Sequence, residues 1–203
     1  MACRKYCAHC CTRNVTISSI EAVHIHQALS ENDRKTIRGA LAPQLEKQRY
    51  LPKITLNQMA AMCAQGEAPP EEIIDPAWGA CPLLDQMACP IYAVRPFGCR
   101  CLLSTRDCGA TGYAEIDDYT ITVNYVFAQF IEHLDQEGTT GNLADMLIAT
   151  DTAAEENPKK LKASAAGCHM IANRQIPMLL IPPSHQKDII PLVEELHAII
   201  STA

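Results

Sequence analysis

Nine of the eleven cysteines in the 203-residue chain fall in two windows, Cys3, Cys7, Cys10 and Cys11 at the start and Cys81, Cys89, Cys99, Cys101 and Cys108 further on. Thiolates are soft ligands for zinc, iron and iron–sulfur clusters, so this clustering points to metal chemistry. The first window reads C-x3-C-x2-C-C. Its core, Cys7-Ala8-His9-Cys10, is a C-x2-C unit whose two sulfurs reach one metal from a tight turn, with backbone amides left over to bond the sulfurs. The second window reads C-x7-C-x9-C-x-C, and Pro82, Pro90, Pro96 and Gly98 break it into loops. Disulfides do not account for the set. The number is odd, and the opening Met1-Ala-Cys-Arg-Lys-Tyr-Cys lacks the apolar stretch of a signal peptide, so a reducing, cytoplasmic location is expected.

The charge pattern agrees. Windows 1–13 and 81–108 hold Arg4, Lys5, Arg13, Arg95, Arg100 and Arg106 against Asp85 and Asp107, a surplus of +4 in a chain of net charge -6, so the remainder carries -10. Cations beside thiols favour the thiolate and offset the negative charge of a tetrathiolate centre. The acidic remainder argues against general nucleic-acid binding and against anionic membrane surfaces. No apolar run approaches the ~20 residues of a membrane span. The partners expected are other proteins, as binding partners or substrates.

The order Cys3-x3-Cys7-x2-Cys10-Cys11, then Cys81-Pro-Leu-Leu, then Cys89-Pro-Ile-Tyr92-Ala-Val-Arg95-Pro96-Phe-Gly-Cys99-Arg100, resembles the CxxCxxCC family of zinc- or iron-chelating proteins. That family pairs an opening C-x2-C-x2-C-C with a later C-x-L and C-x-I-Y-x-x-R-P-x-x-C-R. The chain departs from it by one residue between Cys3 and Cys7, which makes Cys3 the weakest candidate. The resemblance and the spacing together nominate Cys7, Cys10, Cys89 and Cys99 as metal ligands, then Cys11 and Cys81, then Cys3. Tyr92, Arg95 and Arg100 are expected beside the cofactor, Tyr92 bonding a sulfur or packing in the core, Arg95 bonding loop carbonyls or offsetting cluster charge. A related module in flagellin-lysine methylases implies an iron–sulfur cluster, so a [4Fe–4S] cluster with a redox or enzyme-associated role is the leading expectation. A structural Zn2+ in a macromolecular interaction module is the alternative, and a thiol oxidoreductase using Cys7 and Cys10 is a third reading. Net charge does not choose among the metals, because a zinc ion and a four-iron cluster in four thiolates both leave about -2. Cys101 and Cys108 lie outside the signature, as free thiols or further ligands. Cys63 and Cys168 read as small buried hydrophobes, and His9 as an exposed or supporting residue. No phosphate loop, dinucleotide fingerprint or nucleophile elbow is present, and no catalytic residue is nominated.

Helices must bring the two windows together. Ser18-x-x-Glu21 is a capping box opening a helix over about 18–30, and Ser30 with Asp33 opens another that runs to Pro43 and continues briefly through Leu45–Tyr50. Thr55 with Gln58 caps a third that ends at Gly66, followed by an acidic, proline-stiffened loop. Asp117 and Asp118 read as the cap of a helix carrying Val123, Val126, Phe127, Phe130, Ile131 and Leu134 and ending at Gly138. Further helices are expected from Asn142, from Lys159 to Met170, and from Pro191. Apolar residues make up 48% and aromatics 5%. The expectation is therefore a mainly α, single compact domain over 1–203. In it a cysteine-cluster region, 1–110, precedes a helical extension, 111–203, and a loop-built metal site joins the N-terminus to residues 81–101.

Overall fold

A computed structural model describes Cys3, residues 6–156 and residues 167–201. Among these are eight α-helices and a three-stranded sheet. Strand β1 (Thr16–Ser18) runs straight into α1 (Ser19–Ala28), followed by α2 (Glu31–Leu41) and α3 (Leu56–Ala64). Two four-residue helices, α4 (Phe97–Arg100) and α5 (Cys108–Thr111), lie in and after the second cysteine window. Helix α6 (Asp118–Leu134), strand β2 (Thr139–Asn142), helix α7 (Leu143–Glu156), strand β3 (Met170–Ala172) and helix α8 (Gln186–Ser201) complete the order.

The sheet is antiparallel, in the order β1-β2-β3, with Ile17 opposite Gly141 and Thr140 opposite Ile171. No strand was expected from the sequence. Each is three or four residues long, too short for a period-two pattern to show, and its pairing partner lies elsewhere in the chain.

The caps behave as their sequences require. The Ser18 hydroxyl accepts from the Glu21 N–H at 3.4 Å while the Glu21 carboxylate accepts from the Ser18 N–H at 2.9 Å, a complete capping box. The side chains of Ser30, Thr55 and Asp117 cap α2, α3 and α6 by accepting the N–H of Asp33, Gln58 and Thr120. Asp117 is thus a helix cap, and the hydrogen bonds it takes from Thr120 hold its carboxyl below the usual range. Asp135, just past α6, accepts from the Ser19 hydroxyl at 2.6 Å and the Ile20 N–H at 3.0 Å, so the end of one helix closes the start of another.

Several expected boundaries shift. Residues 45–50 form turns and coil instead of continuing α2, and Arg49 there reaches a buried partner on α7. Helix α6 stops at Leu134, four residues short of Gly138. Pro191 lies inside α8, because Ile189, wholly buried against Val126 and Phe130, anchors a first turn that begins at Gln186. The expected helix over Lys159–Met170 falls partly on 159–166, outside the described residues, and Met170 itself opens β3.

The principal core joins Ala22 and Ile25 of α1, Ile37 and Leu41 of α2, and Leu143, Met146 and Leu147 of α7. Leu83 and Ile91, from between and beside the cysteines of the second window, are buried in the same core. A second cluster joins α6 and α8 through Val126, Phe130 and Ile189. Between α3 and α6 the contact is polar. The fully buried Asn57 side chain donates to the Gln129 and Arg174 carbonyls at 3.1 and 2.9 Å and accepts from the Gln129 amide at 3.0 Å.

Arg49 and Asp145 form the most buried ion pair described, at 2.6 and 2.7 Å, with side-chain exposures of 7% and 0%. Asp145 also accepts from the His169 N–H at 2.7 Å, which ties α7 to the approach of β3. Removing one member strands a buried charge. Asp145→Ala is expected to lower unfolding stability by about 3–5 kcal/mol, read as a shift in the urea midpoint; an unchanged midpoint would contradict this role.

Candidate metal centre

The two cysteine windows are stitched together by backbone. The Cys81 N–H donates to the Cys11 carbonyl at 2.8 Å and the Arg13 N–H to the Gly79 carbonyl at 3.1 Å, with Thr12 and Ala80 bridged antiparallel between them. Gly79 has φ 120°, a conformation that side chains disfavour, and a Cβ there would meet the Arg13 Nε at 3.1 Å, so a larger residue would strain the backbone and shift the Arg13 side chain. Around this seam Cys3, Cys7, Cys10, Cys11, Cys81, Cys89 and Cys99 line one cavity of about 740 Å³. Tyr92, Arg95 and Arg100 line it too.

Loops and one short helix aim the sulfurs. Cys81 and Cys89 are each followed by proline, and each sulfur receives backbone N–H groups from just beyond it, Leu83 and Leu84 at Cys81 and Ile91 at Cys89. Such donors favour the thiolate. Between them, Asp85 and Ala88 exchange backbone bonds of 2.9 and 2.7 Å across Gln86 and Met87, both in the left-handed region at φ 45° and 69°. Bulky residues are costly there, and strain of this kind is characteristic of sites fixed by their surroundings. Cys99 sits on α4, whose start is held by the Glu21 carboxylate accepting from the Phe97 N–H at 2.8 Å. Gly98 brings that helix against β1, where a Cβ would lie 3.3 Å from the Thr16 carbonyl oxygen.

Burial pushes the Cys81, Cys89 and Cys101 thiols up, and takes Cys99 to about 12. The Cys10 thiol is raised because its S–H donates to Cys11, and Cys11 is lowered by the same bond. The neighbouring charges trace who faces whom: Cys11 senses Cys81, Cys89 and Cys99, and Cys99 senses Cys10 as well. Arg95 works against the burial at Cys10, Cys89 and Cys99. Its guanidinium stacks over the Tyr92 ring at 4.2 Å, and its buried Nε has no hydrogen-bond partner. It is Arg100, not Arg95, that bonds loop carbonyls, those of Arg95 and Ala93 at 2.7 and 2.8 Å.

The other candidates divide. Cys3, besides lining the cavity, accepts from the Ser104 N–H at 3.2 Å and donates to the Leu102 carbonyl at 3.6 Å. Cys101 faces the Gly98 carbonyl at 3.4 Å and lines a different cavity, and Cys108 is buried beside the Arg106 carbonyl. Cys63 is exposed at the end of α3, contrary to the buried role expected, because that helix buries the side that carries Asn57 and Ala60. Cys168 is half-buried and raised to about 11 by desolvation and by Asp145. His9 is exposed and rests against Gly109.

Two contributors were not nominated from the sequence. Arg13 donates to the Gln44 side chain at 2.7 Å, leaves a buried Nε without a partner, and favours the Cys81 thiolate. Its place among the basic residues of the first window was the only signal. Glu21 was legible as a cap but not as the anchor of α4, 76 residues away.

The donor set and the buried, unpartnered Nε atoms of Arg13 and Arg95 fit an anionic thiolate centre. Among the described residues no three His, Cys, Asp or Glu side chains are gathered closely enough to hold a single ion; the sulfurs ring the cavity instead. Residues 2–122 match the model of the CxxCxxCC family, described as "Putative zinc- or iron-chelating domain". No curated protein and no solved structure matches the chain. No described helix is long and apolar enough to cross a membrane.

In metal-free protein at pH 8, peptide-resolved alkylation with iodoacetamide is expected to modify exposed Cys63 and hydrogen-bonded Cys11 well before Cys99, whose thiol stays protonated below about pH 12. Cys99 reacting as fast as Cys11 would contradict the assigned environments.

Proposed function

Because the chain belongs to the CxxCxxCC family of zinc- or iron-chelating domains, we propose that its cysteine cavity holds an iron–sulfur cluster, of the [4Fe–4S] type, in a redox or enzyme-associated role. The observation that carries this reading is the single cavity that seven cysteines from both windows line. A zinc ion with Zn–S bonds of about 2.3 Å needs four sulfurs drawn within about 4 Å of one another. A ring of sulfurs about a roomy cavity suits a polynuclear group better. The excess of thiols over four points the same way.

The ligands come from Cys7, Cys10, Cys11, Cys81, Cys89 and Cys99, with Cys89 and Cys99 in every set, since each sits among the other thiols and under the Arg95 charge. When bound, the cluster supplies one-electron chemistry. The chain's own residues do the rest. Arg95 in the cavity wall and Arg13 beside Cys81 offset negative charge, the N–H groups of Leu83, Leu84 and Ile91 bond sulfurs, and Arg100 fixes the loop that carries Tyr92. Because burial favours the protonated thiols of Cys81, Cys89 and Cys99, loading them expels protons and its affinity rises with pH.

Anaerobic reconstitution with iron and sulfide is expected to give a brown protein with about four irons and four sulfides per chain. Cys89→Ser or Cys99→Ser should lose most of that iron, and Cys63→Ser none of it. A colourless product that retains stoichiometric zinc and takes up no sulfide would overturn the iron–sulfur reading in favour of structural zinc.

A further inference from the structure

A second cavity, of about 430 Å³, lies on the far side of α4 from the cysteine ring, with Phe97, Gly98 and Cys101 in its wall. Its walls are largely apolar, from residues such as Ile54, Met59 and Ile131. Three carboxylates line it, Glu21, Glu72 and Glu132, and no lysine, arginine or histidine does. Glu21 takes N–H groups from Ser18 and Phe97, and Glu132 takes those of Asn57 and Arg174 at 2.8 and 2.9 Å. Glu72 accepts from the Lys53 N–H at 2.9 Å and from the Tyr50 hydroxyl. These bonds keep the carboxylates in place; the Ser18 N–H and hydroxyl together fill Glu21 Oε2, but each carboxylate still has a lone pair free, that of Glu21 on Oε1. Burial raises the carboxyl of Glu132 in spite of these bonds, a further one from the Thr55 hydroxyl and the nearby Arg174 charge, so its negative charge is only partly offset. Tyr125 lines the cavity and is 43% exposed, which leaves an aromatic ring open to an incoming group.

We propose that this cavity binds a small organic cation, a primary or methylated amine on an apolar chain. The carboxylates are spread round the walls and not gathered about one point, so they do not make a metal site. They match an ammonium head, the Tyr125 ring adds a cation–π face, and the apolar walls take an aliphatic body. The volume is in the range of small-molecule sites. The site does not depend on what fills the cysteine cavity, although α4 separates the two by a single short helix.

Isothermal titration of the full-length chain at low salt with n-hexylamine, and with hexan-1-ol and hexanoate as neutral and anionic matches, tests this. Saturable binding of hexylamine is expected, with the alcohol and the acid at least tenfold weaker. Glu72→Gln and Tyr125→Ala, both at the cavity's edge, should each weaken hexylamine by about tenfold with the melting temperature of the chain unchanged. Absent binding, equal binding of all three probes, or hexylamine binding untouched by both variants would overturn the proposal. None of these results bears on iron content, so the two readings fail separately.

Discussion

The short antiparallel seam between residues 11–13 and 79–81 is the constraint on which the rest depends. Two backbone hydrogen bonds, one glycine with room for an arginine, and a bridge between Thr12 and Ala80 bring together cysteines separated by about seventy positions in the chain. Loop closure over such a span costs conformational entropy that two hydrogen bonds alone would not offset. The remainder comes from burial. Leu83 and Ile91 enter the same apolar core as α1, α2 and α7, and Cys81 and Cys89 pack at its edge. The metal-site loops are thus part of the core's surface and inherit its rigidity.

The same economy appears at α4. Four residues are too few to be stable as an isolated helix. The helix persists because Glu21, already engaged in the capping box of α1, also takes the Phe97 N–H, and because Gly98 permits contact with β1. One carboxylate therefore couples the start of the first long helix to the position of Cys99. The helix in turn divides two cavities of different character, one lined by thiols and arginines, the other by carboxylates and apolar groups.

Most of the candidate site was legible because its information is local. Cysteine spacing, the two Cys-Pro steps and the cation surplus are readable residue by residue, as are the caps at Ser18, Ser30, Thr55 and Asp117. What could not be read depends on partners far away in sequence. The strands are fragments such as Thr139–Asn142 that pair only after the chain has folded back. Pro191 looked like a helix start, yet the buried Ile189 carries the helix through it. Cys63 has the composition of a core residue but lies on the exposed side of α3. The roles of Arg95 and Arg100 are likewise divided by geometry. Both are basic residues beside cysteines, and only the fold shows that Arg100 ties the loop while Arg95 stacks on an aromatic ring and keeps its Nε unbonded.

Whether the two cysteine windows form one thiol-lined cavity can be read by cross-linking metal-free protein under reducing, native conditions with the short thiol-to-thiol reagent dibromobimane, in a Cys63→Ser, Cys168→Ser background. Mass spectrometry of the digest is predicted to find links joining a cysteine of residues 7–11 to one of residues 81–99. Links confined to pairs within each window, with none between them, would contradict a shared cavity.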